Sequence, residues 1–232
     1  MANTAVKIAW LGLLDSDDAT GSSRAHEHLA TLAQHVVAAS GYGWSIELIS
    51  CGSGPERRPI SAGVARLTLP VAGTARTVWD RTSWDLSRVI ADVDLVHLHD
   101  GFSRSCEVAL LIARQLRKPV CMTEWGLEGH WLASELSLIE LADVVVCHDR
   151  AVAESISTSK PVELVVCETD IRQLGVPAPW PANHCLALED GLPRPSGAKR
   201  DGLGRPSSRA TAGVRLYEIY HRLIAATRRA AA

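Results

Sequence analysis

The chain has 232 residues, enough for one large domain or two small ones. Hydrophobic residues make up 47% and charged residues 22%, a globular balance that excludes a mostly disordered chain and a fibrous repeat. A net charge of −2 gives no reason to expect nucleic acid as a partner.

No stretch approaches the ~20 uninterrupted apolar residues that a transmembrane segment needs. The first residues show no basic region followed by an apolar run, so no signal peptide is expected and the cytoplasm is the expected compartment. Charge is unevenly distributed. Residues 1–175 carry 15 Lys/Arg against 22 Asp/Glu, and residues 176–232 carry 9 against 4. An acidic body with a basic tail indicates two-part organisation, and the tail allows peripheral contact with an anionic membrane surface.

Taken in chain order, Val6–Leu11 is a short apolar run ending at Gly12, which reads as a buried strand. A polar stretch, Asp15 to Gly21, leads to Ser22 and Ser23, either of which can cap a helix. Leu29, Leu32, Ala33, Val36 and Val37 then recur at helical spacing until Gly41-Tyr42-Gly43. Trp44–Ile49 alternates as a strand, residues 50–63 read as a loop, and Val64–Leu69 is a third strand. Residues 77–91 read as a helix. Asp94–Asp100 (DLVHLHD) is a strand with two histidines near its carboxyl end.

Ser103–Leu116 is a helix, Pro119–Thr123 a strand, residues 132–142 a helix, and Val144–Cys147 a strand. Ala151–Thr158 is a helix and Val162–Val166 the last of seven strands. Short, nearly all-apolar strands alternating with helices predict an α/β fold: a single Rossmann-like parallel sheet covered on both faces. Residues 1–174 form this body. Residues 175–208, rich in Pro, Gly and Arg, read as a linker. Residues 209–229 form a C-terminal helix whose broad apolar stripe predicts that it packs back on the body.

Six cysteines lie at positions 51, 106, 121, 147, 167 and 185 with no C-x-x-C pair, which reads as buried thiols rather than a zinc site or a disulfide framework. In parallel sheets ligands bind beyond the carboxyl ends of the strands, so the residues just after each strand are the candidates. Gly12 and Ser22 bracket a loop entering a helix N-terminus, which suits an anion or sugar hydroxyls. Neither G-x-G-x-x-G nor G-x-x-x-x-G-K-[ST] occurs there, and the same residues also fit a solvated loop with an N-cap.

His97 and His99, two apart on a strand, share a face. A metal pair is conceivable, but no third ligand is evident, so no metal is assigned. His99 and Asp100 are candidates for catalysis or sugar binding. Thr123 to Trp131 packs Glu124, Trp125, Glu128, His130 and Trp131 into one short stretch. Its tryptophan faces can stack on sugar rings, and Glu124 or Glu128 can serve as a general base. A surface loop anchored by two aromatic residues is the simpler alternative.

These segments resemble the N-terminal domain of family 4 glycosyltransferases, of the GT-B class. The resemblance is carried by HLATLAQHVVAASGYGWSIELIS (His28–Ser50), DLVHLHDGF (Asp94–Phe102), KPVCMTEWG (Lys118–Gly126), LADVVVCHDRAVAESI (Leu141–Ile156) and VELVVCETDIRQL (Val162–Leu174), in the family's order. It covers about residues 5–175. It implies an acceptor-binding domain that works with a nucleotide sugar as co-substrate and no organic cofactor. Gly12 and Ser22 would lie near acceptor or phosphate, and His99 and Asp100 beside the acceptor.

The departures are informative. The family's histidine after the fifth strand falls on Trp125, and its P-N-G-V-D segment reads Cys167-Glu168-Thr169-Asp170-Ile171. No E-x7-E motif occurs, and residues 176–232 are too few for a second Rossmann-like domain of ~150 residues. ATAGVRLYEIYHRLI looks like the helix with which such proteins return to their first domain. The resemblance therefore implies a glycosyltransferase's acceptor-side domain, for a sugar or lipid-linked acceptor, with a donor site supplied by a partner chain. The alternatives are a non-catalytic helper subunit and a small α/β metal hydrolase built on His97, His99 and Asp100.

Overall fold

Strand grammar dominates the architecture. A computed structural model describes residues 5–12, 22–99, 103–124, 138–156, 158–166 and 209–230. The elements run β1 (Val6–Leu11), α1 (Ser22–Ala39), β2 (Trp44–Gly52), β3 (Glu56–Ser61), β4 (Val64–Pro70), α2 (Leu86–Ala91) and β5 (Leu95–Leu98). There follow α3 (Arg104–Gln115), β6 (Val120–Glu124), β7 (Val144–Cys147), α4 (Arg150–Ser155), β8 (Val162–Leu164) and α5 (Arg209–Ala230). Among the described residues, no helix is long and apolar enough to cross a membrane.

The strands form one eight-stranded sheet in the order β3-β4-β2-β1-β5-β6-β7-β8. All seven strands expected from the sequence are present and pair in parallel. The eighth, β3, corrects the expected loop over 50–63: it pairs antiparallel with β4 across a turn at Gly63, where φ is +74°. Every residue of β3 is exposed, and it carries Arg57, Arg58 and Pro59. Charge and proline are the devices by which an open sheet edge resists pairing with other chains.

The expected helix over 77–91 is also shorter. A 3-10 turn at Val78–Asp80 precedes α2, and the chain between them is tied to the segment just after β4 by the Ala72 N–H to Thr82 carbonyl bond. Leu86, Val89 and Ile90 still face inward. Of the expected helix over 132–142, residues 138–141 form a 3-10 turn, and the rest lies outside the described residues. The proposed linker, 175–208, lies outside them as well.

Each face of the sheet has its own core. On one, Ile8, Trp10, Ile46, Leu48, Leu95 and Val146 meet α1 and α5. On the other, Ala9, Leu11, Ile49, Val96, Leu98 and Met122 meet α2 and α3. The C-terminal helix therefore packs back on the body as its stripe predicts: Ala212, Leu216, Ile219, Tyr220 and Ile224 are buried. Fully burying a Leu or Ile side chain stabilises a fold by ~1.5–3 kcal/mol, so this stripe is a substantial anchor. Ion pairs join it at the rim, from Glu163 to Arg215 (3.2 Å) and Arg222 (2.6 Å), and from Asp94 to Arg228 (3.2 Å).

Candidate functional site at the carboxyl edge

From β1 the chain winds outward through β2 to β4; it then returns across β1 and winds the other way through β5 to β8. The winding direction therefore reverses between β1 and β5. The helices that follow these two strands, α1 and α3, pack on opposite faces of the sheet, and in such folds ligands bind beyond the carboxyl ends at this point. Gly12 and His99 stand at that point. The His99 N–H donates to the Leu11 carbonyl at 2.7 Å. Gly12 leaves β1 with φ +93°, a left-handed conformation that glycine adopts without a Cβ penalty.

Below this point lies a buried layer of rings. The register sets His97 beside Trp10 on one side and Cys121 on the other. The His97 Nδ1 is hydrogen-bonded to the Tyr220 hydroxyl of α5, and its Nε2 to the Thr123 hydroxyl at 2.7 Å. The His99 ring lies 4.0 Å from that of His97 and 4.6 Å from that of Trp10, centre to centre. His97 and His99 are both fully buried. Burial, and for His99 the adjacent His97, hold both imidazoles well below the usual histidine range, so both are neutral at pH 7.

Two further histidines act electrostatically on His99. His28 on α1 and His148 after β7 are buried. Burial lowers each to about 4, helped at His28 by Arg209 and opposed at His148 by its bond to the Val165 carbonyl. Sequence alone marks His26-Glu27-His28 and His148-Asp149 only as lesser candidates, and marks none of Trp10, Thr123 and Tyr220 as their neighbours. His26 and His28 read as a helical pair facing different ways, and only strand register and helix docking bring His28 to the sheet.

Of the expected site residues, Gly12 and His99 come together at the switch point. Glu124 ends β6 and is buried, 8% exposed. Beside it, burial and then the negative charges of Glu124 and Asp149 push the Cys147 thiol up to about 12. Ser22 opens α1. Asp100, Trp125, Glu128 and His130 lie outside the described residues. Cys51, Cys106, Cys121 and Cys147 are buried, whereas Cys167 and Cys185 lie outside the described residues.

The arrangement bears on metal chemistry. Both ring nitrogens of His97 are engaged by hydroxyls, which leaves neither for coordination. Among the described residues no cluster of three or more His, Cys, Asp or Glu could hold a metal ion.

A concavity lies at the opposite, amino edge. It is a cleft of about 610 Å³ whose lining includes Lys7, Ser45, Glu47, Arg57, Arg88 and Asp92. Its charges are largely spent on each other, Lys7 with Asp92 at 2.6 Å and Arg57 with Glu47 at 2.9 Å.

No protein-family model and no curated protein matches this chain. Among solved structures, it is similar to a sucrose-phosphate synthase structure from Thermosynechococcus elongatus. There the TM-score is 0.46 and the identity 16%, over 73% of this chain and 93% of that one. It is also similar to a chain assigned as a UDP-N-acetylglucosamine 2-epimerase of Listeria monocytogenes. That match has a TM-score of 0.43 and 14% identity, over 64% of this chain and 40% of that one.

Proposed function

We propose that this chain is the acceptor-side domain of a family 4-type glycosyltransferase, with the donor site supplied by a partner chain. The observation that carries the reading is the reversal between β1 and β5, with Gly12 and His99 at their carboxyl ends. It is supported by the five segments that resemble that family in its own order. The acceptor is a sugar or lipid-linked sugar, and the co-substrate is a nucleotide sugar.

In this reading Glu124 takes the proton of the acceptor hydroxyl as its oxygen attacks the anomeric carbon of the donor sugar. The bond from that carbon to the nucleotide diphosphate breaks, and the leaving group carries away the electron pair. His99 and Asp100 orient the acceptor, Trp125 stacks on its ring, and Gly12, Ser22, Glu128 and His130 bind its hydroxyls or phosphate. The expected setting is the cytoplasm, with peripheral contact to an anionic membrane through the basic C-terminal segment.

Full burial of His99 favours a second reading, a non-catalytic helper subunit that keeps this scaffold to hold a saccharide or an enzyme partner. The double engagement of His97 weighs against the metal hydrolase.

A thermal-shift titration tests the proposal, using panels of saccharides, sugar phosphates and nucleotide sugars. A ligand at ~100 times its Kd adds ~2.7 kcal/mol of stability. The acceptor-side reading expects a shift with a saccharide or sugar phosphate and none with nucleotide sugars alone. A shift with a nucleotide sugar alone moves the donor site into this chain. No shift with any compound of the panels overturns the acceptor reading in favour of a helper that holds an enzyme partner.

A further inference from the structure

We propose that Tyr220 and Thr123 are positioning residues that fix the His99 ring at the carboxyl edge through His97, so that docking of α5 sets the geometry of the candidate site. The functional side of this inference rests on the carboxyl edge being the ligand site; the mechanical side does not.

The chain of contact is short and wholly buried. Tyr220, in the second half of α5, bonds one nitrogen of His97, and Thr123 on β6 bonds the other. A neutral imidazole has one donor nitrogen and one acceptor nitrogen. Both hydroxyls can play either part, so the trio is satisfied in one proton arrangement at a time. His97 is thereby held against rotation about its ring plane. Its ring in turn forms one wall against His99, and Trp10 forms the other.

Tyr220 also sits edge-on to His97, with centres 5.5 Å apart, and edge-on to Trp10 at 6.5 Å. Tyr220, 123 residues from His97 in sequence, thus meets both rings that pack on His99, His97 through its hydroxyl and edge and Trp10 through its ring edge. An apolar helix could pack on this face without any polar group. The buried hydroxyl adds orientation, since a hydrogen bond fixes an angle and a position whereas apolar contact does not.

The experiment compares Tyr220→Phe and Thr123→Val with Ile224→Val in the full chain. Ile224 is buried on the same helix but is no part of the ring layer, so trimming it loosens α5 without touching the relay. The ring nitrogen resonances of His99, observed by ¹⁵N NMR, are the first readout, with melting temperature alongside. The expected result is a shift of the His99 signals in both relay variants and unchanged signals in Ile224→Val despite its lower melting temperature.

His99 signals that stay put in Tyr220→Phe and Thr123→Val overturn the proposal. So do signals that move in all three variants in proportion to lost stability. If one relay variant fails to fold, the other decides. The second readout is binding of whichever saccharide or sugar phosphate shifts the unaltered chain, with a loss of affinity expected in the relay variants alone. Absence of any such binding in the unaltered chain counts against the carboxyl-edge reading, and the NMR comparison still decides the coupling.

Discussion

Gly213 of α5 lies directly against His35 of α1. A Cβ placed on Gly213 would stand 3.0 Å from the carbonyl carbon of His35 and closer still to its Cβ. The two helices cross at their smallest residue, and that crossing sets how deeply Tyr220, two turns further along α5, reaches toward the sheet. In an exposed helix interior, Gly→Ala would stabilise by ~1 kcal/mol through propensity. Here the obstructing atoms include backbone, so the helices must part. Gly213→Ala is expected to cost about 1–3 kcal/mol net, as overpacking does. Urea denaturation of the two proteins measures it; a rise in stability would show that the crossing yields easily.

Acid should destabilise this protein earlier than carboxylate protonation alone requires. His28, His97, His99 and His148 all have folded-state values lowered by burial, to about 4 for His28 and His148. The unfolded chain titrates near the ordinary 6.5, so below that pH it binds protons that the folded chain refuses. Stability is then complete above about pH 7 and falls as pH drops from 6.5 toward 4. Each such histidine contributes up to ~1.4 kcal/mol per pH unit. Urea midpoints between pH 8 and 5 should decline steeply below 6.5, and His148→Gln should flatten that slope. A midpoint constant down to pH 5 would contradict this account.

Glu163 is the acidic partner shared by Arg215 and Arg222, and it is itself only partly exposed. Glu163→Gln should therefore loosen the α5 edge modestly. The expected cost is about 0.5–1 kcal/mol, since exposed pairs are weak and screened. Repeating the denaturation in high salt should shrink the difference between the two proteins. A difference that persists undiminished would mean that Glu163 acts through packing rather than charge.

Asp149 caps α4, accepting from the Ala151 N–H at 2.7 Å and the Val152 N–H at 3.3 Å. Asp149→Ala should cost ~1 kcal/mol. Because α4 follows β7 and His148, the change should also raise local hydrogen exchange in residues 150–155 more than in α1.

Much of this architecture was written locally, and the exceptions have physical reasons. Strands such as Val120–Glu124 and Val144–Cys147 are buried on both sides, which demands continuous apolar runs that a sequence displays. β3 is exposed on every residue, so no burial constraint marks its sequence, and the turn at Gly63 is its main signal. His97 and His99 were legible as a same-face pair from their spacing alone. Tyr220 was legible as a core residue of an apolar stripe, but not as the partner of His97. That contact depends on where α5 lands, and the close crossing at Gly213 fixes the landing. Glu124 was found from its place after a strand, whereas Asp100, Trp125, Glu128 and His130 fall outside the described residues.

The most direct test asks which edge of the sheet receives a ligand. Backbone amide shifts of the isotopically labelled chain would be followed while titrating the saccharide or sugar phosphate that raises its melting temperature. The account predicts perturbation of Gly12, His99 and Glu124 at the carboxyl edge, with Lys7, Ser45, Arg57 and Arg88 at the amino-edge cleft unmoved. Perturbation confined to the amino-edge cleft would contradict it, and would place the binding site of this protein on the other side of the sheet.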